Sequence, residues 1–215
     1  MKIFLDVDGV IIDGWHAKPE RRKPWNATIE QDLGVSREAF QQAFFKAPHR
    51  GTDSPMESCI RGDGDLKDIL TELLPTLGYD GSVDAFVAYW FAKDSTINQD
   101  VIEIAKRLRQ RQGVELYIAT GQEHYRAAYL WNDLGLKDLF DDMFYSARLG
   151  LSKIRTEFFA DINARLGIGA DEQPLFFDDS EAVVTAARDA GWDAHIFDTI
   201  EDLSRNSRVV EILQD

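Results

Sequence analysis

Only one cysteine, Cys59, stands in 215 residues. An internal disulfide is excluded, and a reducing compartment, the cytoplasm, is the expected setting. Long apolar runs are missing as well: none approaches the roughly 20 residues that a membrane-spanning helix needs, so no membrane anchor is expected. The first apolar run begins at Ile3, lacks a basic leader and is broken at Asp6, which does not describe a secretory signal. Positive charge is scarce. Lys and Arg number 24 against 38 Asp and Glu, a net charge of −14, and such a chain repels the backbone of a nucleic acid. Nucleic acid is excluded as a partner on that ground. An anionic small substrate requires local positive charge, which a bound metal would supply. Neither an internal repeat nor a low-complexity tract is found.

What remains is an ordinary globular composition, 44% apolar and 29% charged, in a length that suits one domain or one domain with an insertion. From Val114 onward, strand-like runs alternate with amphipathic stretches: "VELYIAT", Glu123 to Leu134, "DMFYSA", Ile154 to Leu166, "PLFFDD", Ser180 to Ala190, "DAHIF" and a last helix near Ile200 to Leu213. That order predicts an α/β fold, a parallel sheet with helices on both faces, to which the distant "IFLDV" adds a strand. Between Asp13 and about Asp100 no strand is apparent. "SREAFQQAFFKA" after Ser36, "DLKDILTELLPTLG" and "SVDAFVAYWFAK" carry helical periodicity instead, and predict an all-helical insertion over residues 14–96. The core is then 1–13 and 97–215. "HAKPERRKPW" and "KAPHRGTDSP" read as loops.

The opening "KIFLDVDGVIID" delivers acids to the carboxyl end of its strand, where open parallel sheets collect their ligands. Gly9 permits the turn that points Asp6 and Asp8 outward. A second Asp-x-Asp, Asp63-Gly64-Asp65, follows no strand and reads as a solvated loop and helix start. Three other strand ends also finish in reactive types. "LYIAT" ends in Thr120 and Gly121, a hydroxyl and a backbone N–H able to hold a phosphoryl oxygen. "LFFDDS" ends in the pair Asp178 and Asp179, and Lys153 follows the "FYSARLG" strand and loop. His124 and His195 have no second histidine at ligand spacing and are read as local packing groups; Asp13 is read as a loop acid or cap.

"DVDGV", "IAT", Lys153 and "FFDDS", in that order, resemble the four motifs of the haloacid dehalogenase-like hydrolase superfamily, and "FFDDSEAVVTAARDAGWDAHIF" is similar to its usual fourth-motif helix and following strand. The resemblance implies a Rossmann-like core with a helical cap inserted between the first and second motifs. It implies Asp6 as nucleophile, Asp8 as acid and base, Thr120 and Lys153 as further catalytic groups, and Mg2+ held by Asp6, the Asp8 carbonyl and Asp179, with Asp178 as an outer or auxiliary ligand. Relatives that release halide lack an acid at the Asp8 position, so the pattern points to phosphoryl transfer. Two departures stand out: Lys153 precedes Ile154 where relatives have proline, and Gly121 replaces a frequent asparagine.

A lid of this kind favours a small phosphorylated metabolite over a phosphoprotein. Arg61 and Gly62 of "CIRGDG" resemble an Arg-Gly loop of related caps and are candidate substrate contacts, as are Arg50 and His49; a plain surface charge is the competing reading of Arg61. The aromatics of "AFVAYWFAK" read as helix core. A phosphomonoester hydrolase is the leading expectation, with a phosphomutase, a 2-haloacid dehalogenase and a non-catalytic phospho-ligand binder as alternatives.

Overall fold

In the computed structural model the described residues are 1–13, 24–47 and 53–214. His49 and Arg50 lie outside them, as do the 16–23 part of "HAKPERRKPW" and the 48–52 part of "KAPHRGTDSP". Five parallel strands, β1 (Lys2–Leu5), β2 (Glu115–Thr120), β3 (Asp142–Tyr145), β4 (Leu175–Asp178) and β5 (Asp193–Ile196), form one sheet in the order β3-β2-β1-β4-β5. The chain fills one side of β1 and then crosses to the other, so the strand order reverses between β1 and β4. A crevice opens at such a reversal, outside the carboxyl ends.

Strand periodicity divides the core in two. Ile3 and Leu5, Leu116 and Ile118, and Leu175 and Phe177 enter one cluster; Phe4, Tyr117, Ala119 and Phe176 enter the other. The first face is covered by a helix at Gln99–Arg109, with contributions from Ala127, Leu203 and Val209, and the second by helices at Thr156–Leu166 and Glu181–Asp189. The helix Gln99–Arg109 was absent from the sequence expectation, although Asn98 caps it and its apolar residues recur on one face. The expected last helix is two, Ile200–Ser204 and Ser207–Gln214, because the Asn206 side chain accepts from Arg208 N and Val209 N and restarts the helix there. No described helix is long and apolar enough to cross a membrane.

Between 24 and 96 the described residues are largely helical and contain no strand. A Ser54–Glu57 capping box starts Pro55–Ile60, Asp65 caps Leu66–Thr76 and Ser82 caps Val83–Lys93. Short helices at Ile29–Leu33 and Arg37–Phe40, the latter continuing as a π-helical turn, complete the set. Phe40, Phe44, Leu66, Leu70, Leu74 and Phe86 are buried in a third cluster. Cys59 lies there too, its thiol pushed up to about 12 by burial. The segment leaves and returns at one place: Asp13 N donates to Thr96 O at 2.9 Å and Asn98 N to Ile11 O at 2.8 Å.

Candidate active site

One residue past β1, Asp6 N still donates to Phe177 O at 3.0 Å, which fixes its side chain beside the end of β4. Lys153, on the loop before Thr156–Leu166, places Nζ 2.6 Å from Asp6 Oδ1 and 2.7 Å from Asp178 Oδ2, with all three side chains buried. Burial alone pulls the lysine towards neutrality, but the two carboxylates outweigh it and hold the ammonium charged. Burial pushes the Asp6 carboxyl up, against the pull of Lys153. Asp179 is raised to about 6, first by burial and then by the neighbouring Asp178.

Gly9 has φ +86°, and a Cβ there would fall 2.1 Å from Asp179 Oδ2. The glycine is therefore needed twice over: for the left-handed backbone, and for the close approach of β4's acid to β1's loop. Asp6, Asp178 and Asp179 each offer one oxygen, all within 4.8 Å of one another. Hard carboxylate donors at that spacing suit a small divalent cation such as magnesium, and neither sulfur nor imidazole belongs to the cluster.

Asp8 occupies a different environment. Its side chain is about half exposed, at 51%, and accepts from Gln122 Nε2 at 2.5 Å; the same Nε2 lies 3.5 Å from Thr120 Oγ1. Thr120 is buried at the end of β2. Gln122 was missed in the sequence, as was Arg126 on the helix His124–Ala128, although both touch this corner. Arg126 Nη2 stands 4.0 Å from Asp8 Oδ1. The same guanidinium donates to the end of the helix Val83–Lys93 and the connector after it, through Nη1 to Phe91 O at 3.1 Å and Ser95 Oγ at 2.7 Å and through Nη2 to Asp94 O. Glu123 caps the helix by accepting from Tyr125 N and Arg126 N, and its carboxyl is raised by burial.

A cavity of about 400 Å³ opens above Asp8, Gly121 and Gln122 and runs up between aromatic side chains of the helical segment. Arg61 and Gly62 do not line it. Arg61 is held by Asp53 and Asp63, and a Cβ on Gly62 would meet Ala147 O at 2.8 Å, so this turn packs against the core instead. Asp65 is a helix cap, as read from the sequence. His124 contacts Tyr145, and His195 bonds Asp193 and stacks on Phe177. Phe86 and Val87 of "AFVAYWFAK" are core, whereas Trp90 and Phe91 also face the cavity.

No curated protein matches the chain. Among solved structures, an HAD family enzyme of Bacteroides thetaiotaomicron, in complex with magnesium and inorganic phosphate, superposes with a TM-score of 0.68 at 17% identity, over 91% of this chain and 92% of that one. A putative β-phosphoglucomutase of Thermotoga maritima gives 0.53 at 19%, over 91% and 83%. The L-2-haloacid dehalogenase of Xanthobacter autotrophicus, with chloropropionic acid covalently bound, gives 0.55 at 16%, over 90% and 75%. At such identities the likeness speaks for the fold. The sequence itself matches the profile described as haloacid dehalogenase-like hydrolase over residues 3–191, from the first residues of β1 to beyond the acids of β4, and the chain belongs to that family.

Proposed function

We propose that this protein is a magnesium-dependent phosphomonoester hydrolase, acting on a small phosphorylated metabolite through an aspartyl-phosphate on Asp6. One observation carries the reading: two carboxylates two residues apart occupy opposite environments. Asp6 is buried and ion-paired to Lys153, whereas Asp8 is half exposed at the cavity floor and held by Gln122. Such a split assigns separate roles to like groups.

Asp6 attacks phosphorus while the bond to the ester oxygen breaks, and Asp8 donates the proton that the departing alkoxide takes. Asp8 then takes a proton from water as that water attacks the phosphoaspartate, which frees Asp6 and phosphate. Thr120 Oγ1 and the Gly121 N–H are donors for the phosphoryl oxygens. Lys153 fixes the Asp6 rotamer and offsets the charge of the acids around it. Asp6, Asp179 and the Asp8 carbonyl would hold magnesium, with Asp178 as an auxiliary ligand, and the ion would supply the neutralisation that lets a carboxylate approach a phosphate dianion. Residues 1–13 and 97–215 act as the catalytic core and 14–96 as a cap that keeps bulk water out. The buried thiol of Cys59 suits a cytoplasmic enzyme.

The test is phosphate release from para-nitrophenyl phosphate and a metabolite panel, with magnesium and with excess chelator, for wild type and Asp6→Asn. Release should vanish in the variant and under chelation. Undiminished turnover in either overturns the reading, and a phosphate retained on a sugar product identifies a mutase instead.

A further inference from the structure

The wall and the floor of the cavity come from different parts of the chain. Trp25, Asn26, Phe45 and Trp90 of the wall belong to the helical segment, whereas Asp8, Gly121 and Gln122 of the floor follow the strands β1 and β2. The floor therefore serves whichever ester the wall admits. Gln122 stands on it between two groups that act on that ester, Asp8 and Thr120.

Gln122 is buried, and its backbone is fixed from both sides. Its carbonyl accepts from Ala147 N at 3.2 Å, and the next residue, Glu123, caps the helix His124–Ala128. From that fixed point the side chain reaches Asp8, where Nε2 donates to Oδ2 at 2.5 Å, while the same Nε2 lies 3.5 Å from Thr120 Oγ1. A carboxylate only accepts, so the amide end that faces it is the nitrogen. Both hydrogens of that nitrogen then have a use. One goes to Asp8 and the other to the Thr120 oxygen, which leaves the hydroxyl's own hydrogen for a phosphoryl oxygen.

The bond also singles out one oxygen of Asp8. Among the described residues Oδ1 accepts no hydrogen bond, since Arg126 Nη2 at 4.0 Å is too far to donate. The carbonyl oxygen of a carboxylic acid is a better acceptor than its hydroxyl oxygen, so an acid whose Oδ2 is bonded to an amide N–H carries its proton on Oδ1. Without that bond a half-exposed aspartate spreads over several rotamers.

Building on the hydrolase reading above, we infer that Gln122 is the positioning residue of the acid–base step: it holds Asp8 in one rotamer by Oδ2 and leaves Oδ1 to pass the proton to the departing alkoxide and then to take one from the attacking water. Gln122 itself exchanges no proton. Its effect passes through Asp8, and so scales with how much the leaving group needs a proton.

The test is Gln122→Met, which keeps the length and bulk of the stem and cannot donate. kcat/KM is measured for the alkyl ester that wild type turns over best in the metabolite panel, and for para-nitrophenyl and acetyl phosphate, whose leaving groups depart without a proton. A positioned acid contributes about 10²–10⁴-fold, so loosening it should lower kcat/KM on the alkyl ester by about tenfold or more, while the activated esters lose less than about threefold. Partial misfolding lowers all of them equally, and an equal loss, or an undiminished alkyl ester, overturns the inference and leaves the hydrolase reading intact. Crystal structures read the rotamer without substrate. Wild type should show one Asp8 rotamer with Oδ2 on Gln122, and the variant should lose it. A wild-type Asp8 turned away from Gln122 overturns the inference whether or not the variant folds, and so does an Asp8 that keeps its rotamer in the variant. A wild type silent on every ester overturns the hydrolase reading, and this inference falls with it.

Discussion

Replacing Arg126 by methionine keeps a long apolar stem and removes a buried guanidinium that ties the sheet to the returning connector. Three hydrogen bonds are lost, to Phe91 O at 3.1 Å, which keeps the Ser95 hydroxyl as a donor, to Ser95 Oγ at 2.7 Å and to Asp94 O. The guanidinium also lies 5.3 Å from the Phe91 ring centroid and 5.9 Å from that of Tyr129. Bonds to a charged group contribute about 1.5–3 kcal/mol each, so the gross loss is roughly 5–9 kcal/mol. Two effects offset it: the cation no longer has to be kept dry, and water entering the adjoining cavity can reach some of the acceptors. A net destabilisation of about 2–4 kcal/mol remains, which in a chain of this size lowers Tm by roughly 5–15 °C. Thermal unfolding measures the total, and amide exchange over residues 91–97 locates it. Because Nη2 also stands 4.0 Å from Asp8 Oδ1, kcat should fall along with stability. A melting point within about 1 °C of wild type, or lost stability with unchanged exchange in the connector, refutes the reasoning.

Lys153→Met leaves Asp6 and Asp178 facing each other without their cation, and should cost about 3–5 kcal/mol in metal-free urea unfolding, with magnesium restoring part of it; an unaltered midpoint would contradict the buried ion pairs. Gly9→Ala meets both the positive φ and the 2.1 Å approach of Asp179 Oδ2. It should cost at least about 1–2 kcal/mol and weaken magnesium binding in titration calorimetry, so wild-type affinity would sink this account of the glycine. Asp179 supplies a pH signature of its own. Its folded carboxyl titrates near 6 against an ordinary 3.8, so the folded state binds the proton more tightly, and the group's contribution to stability is full below the lower value and lost as pH rises through the higher. The difference in unfolding free energy between wild type and Asp179→Asn, measured without metal across that window, should decline with rising pH. A flat or rising difference opposes the assignment.

The acids and the lysine were legible because each follows a strand whose apolar run is visible locally, and a parallel sheet brings all such ends to one edge. Gln122 and Arg126 were not, since what makes them matter is a partner far along the chain: Gln122 is 114 residues from Asp8, and Arg126 is 35 from Phe91. Arg61 shows the opposite failure. A motif-like context suggested a ligand, but Asp53 and Asp63 close by in sequence claim its charge. The helix Gln99–Arg109 carries a plain signal in its Asn98 cap and amphipathic face, but it precedes β2 and so stands outside the strand-helix alternation that begins at Val114.

The two backbone bonds that join Ile11 to Asn98 and Asp13 to Thr96 make the whole helical stretch, topologically, a single loop pinched shut at its base. Closure entropy grows only with the logarithm of loop length, about 0.6 kcal/mol for each doubling. Lengthening, shortening or exchanging what lies beyond the pinch therefore leaves the strand register almost untouched. Drift among descendants of this sequence can rewrite Trp25, Asn26, Phe45 and Trp90 as a cassette, while the edge that carries Asp6 and Lys153 stays as it is.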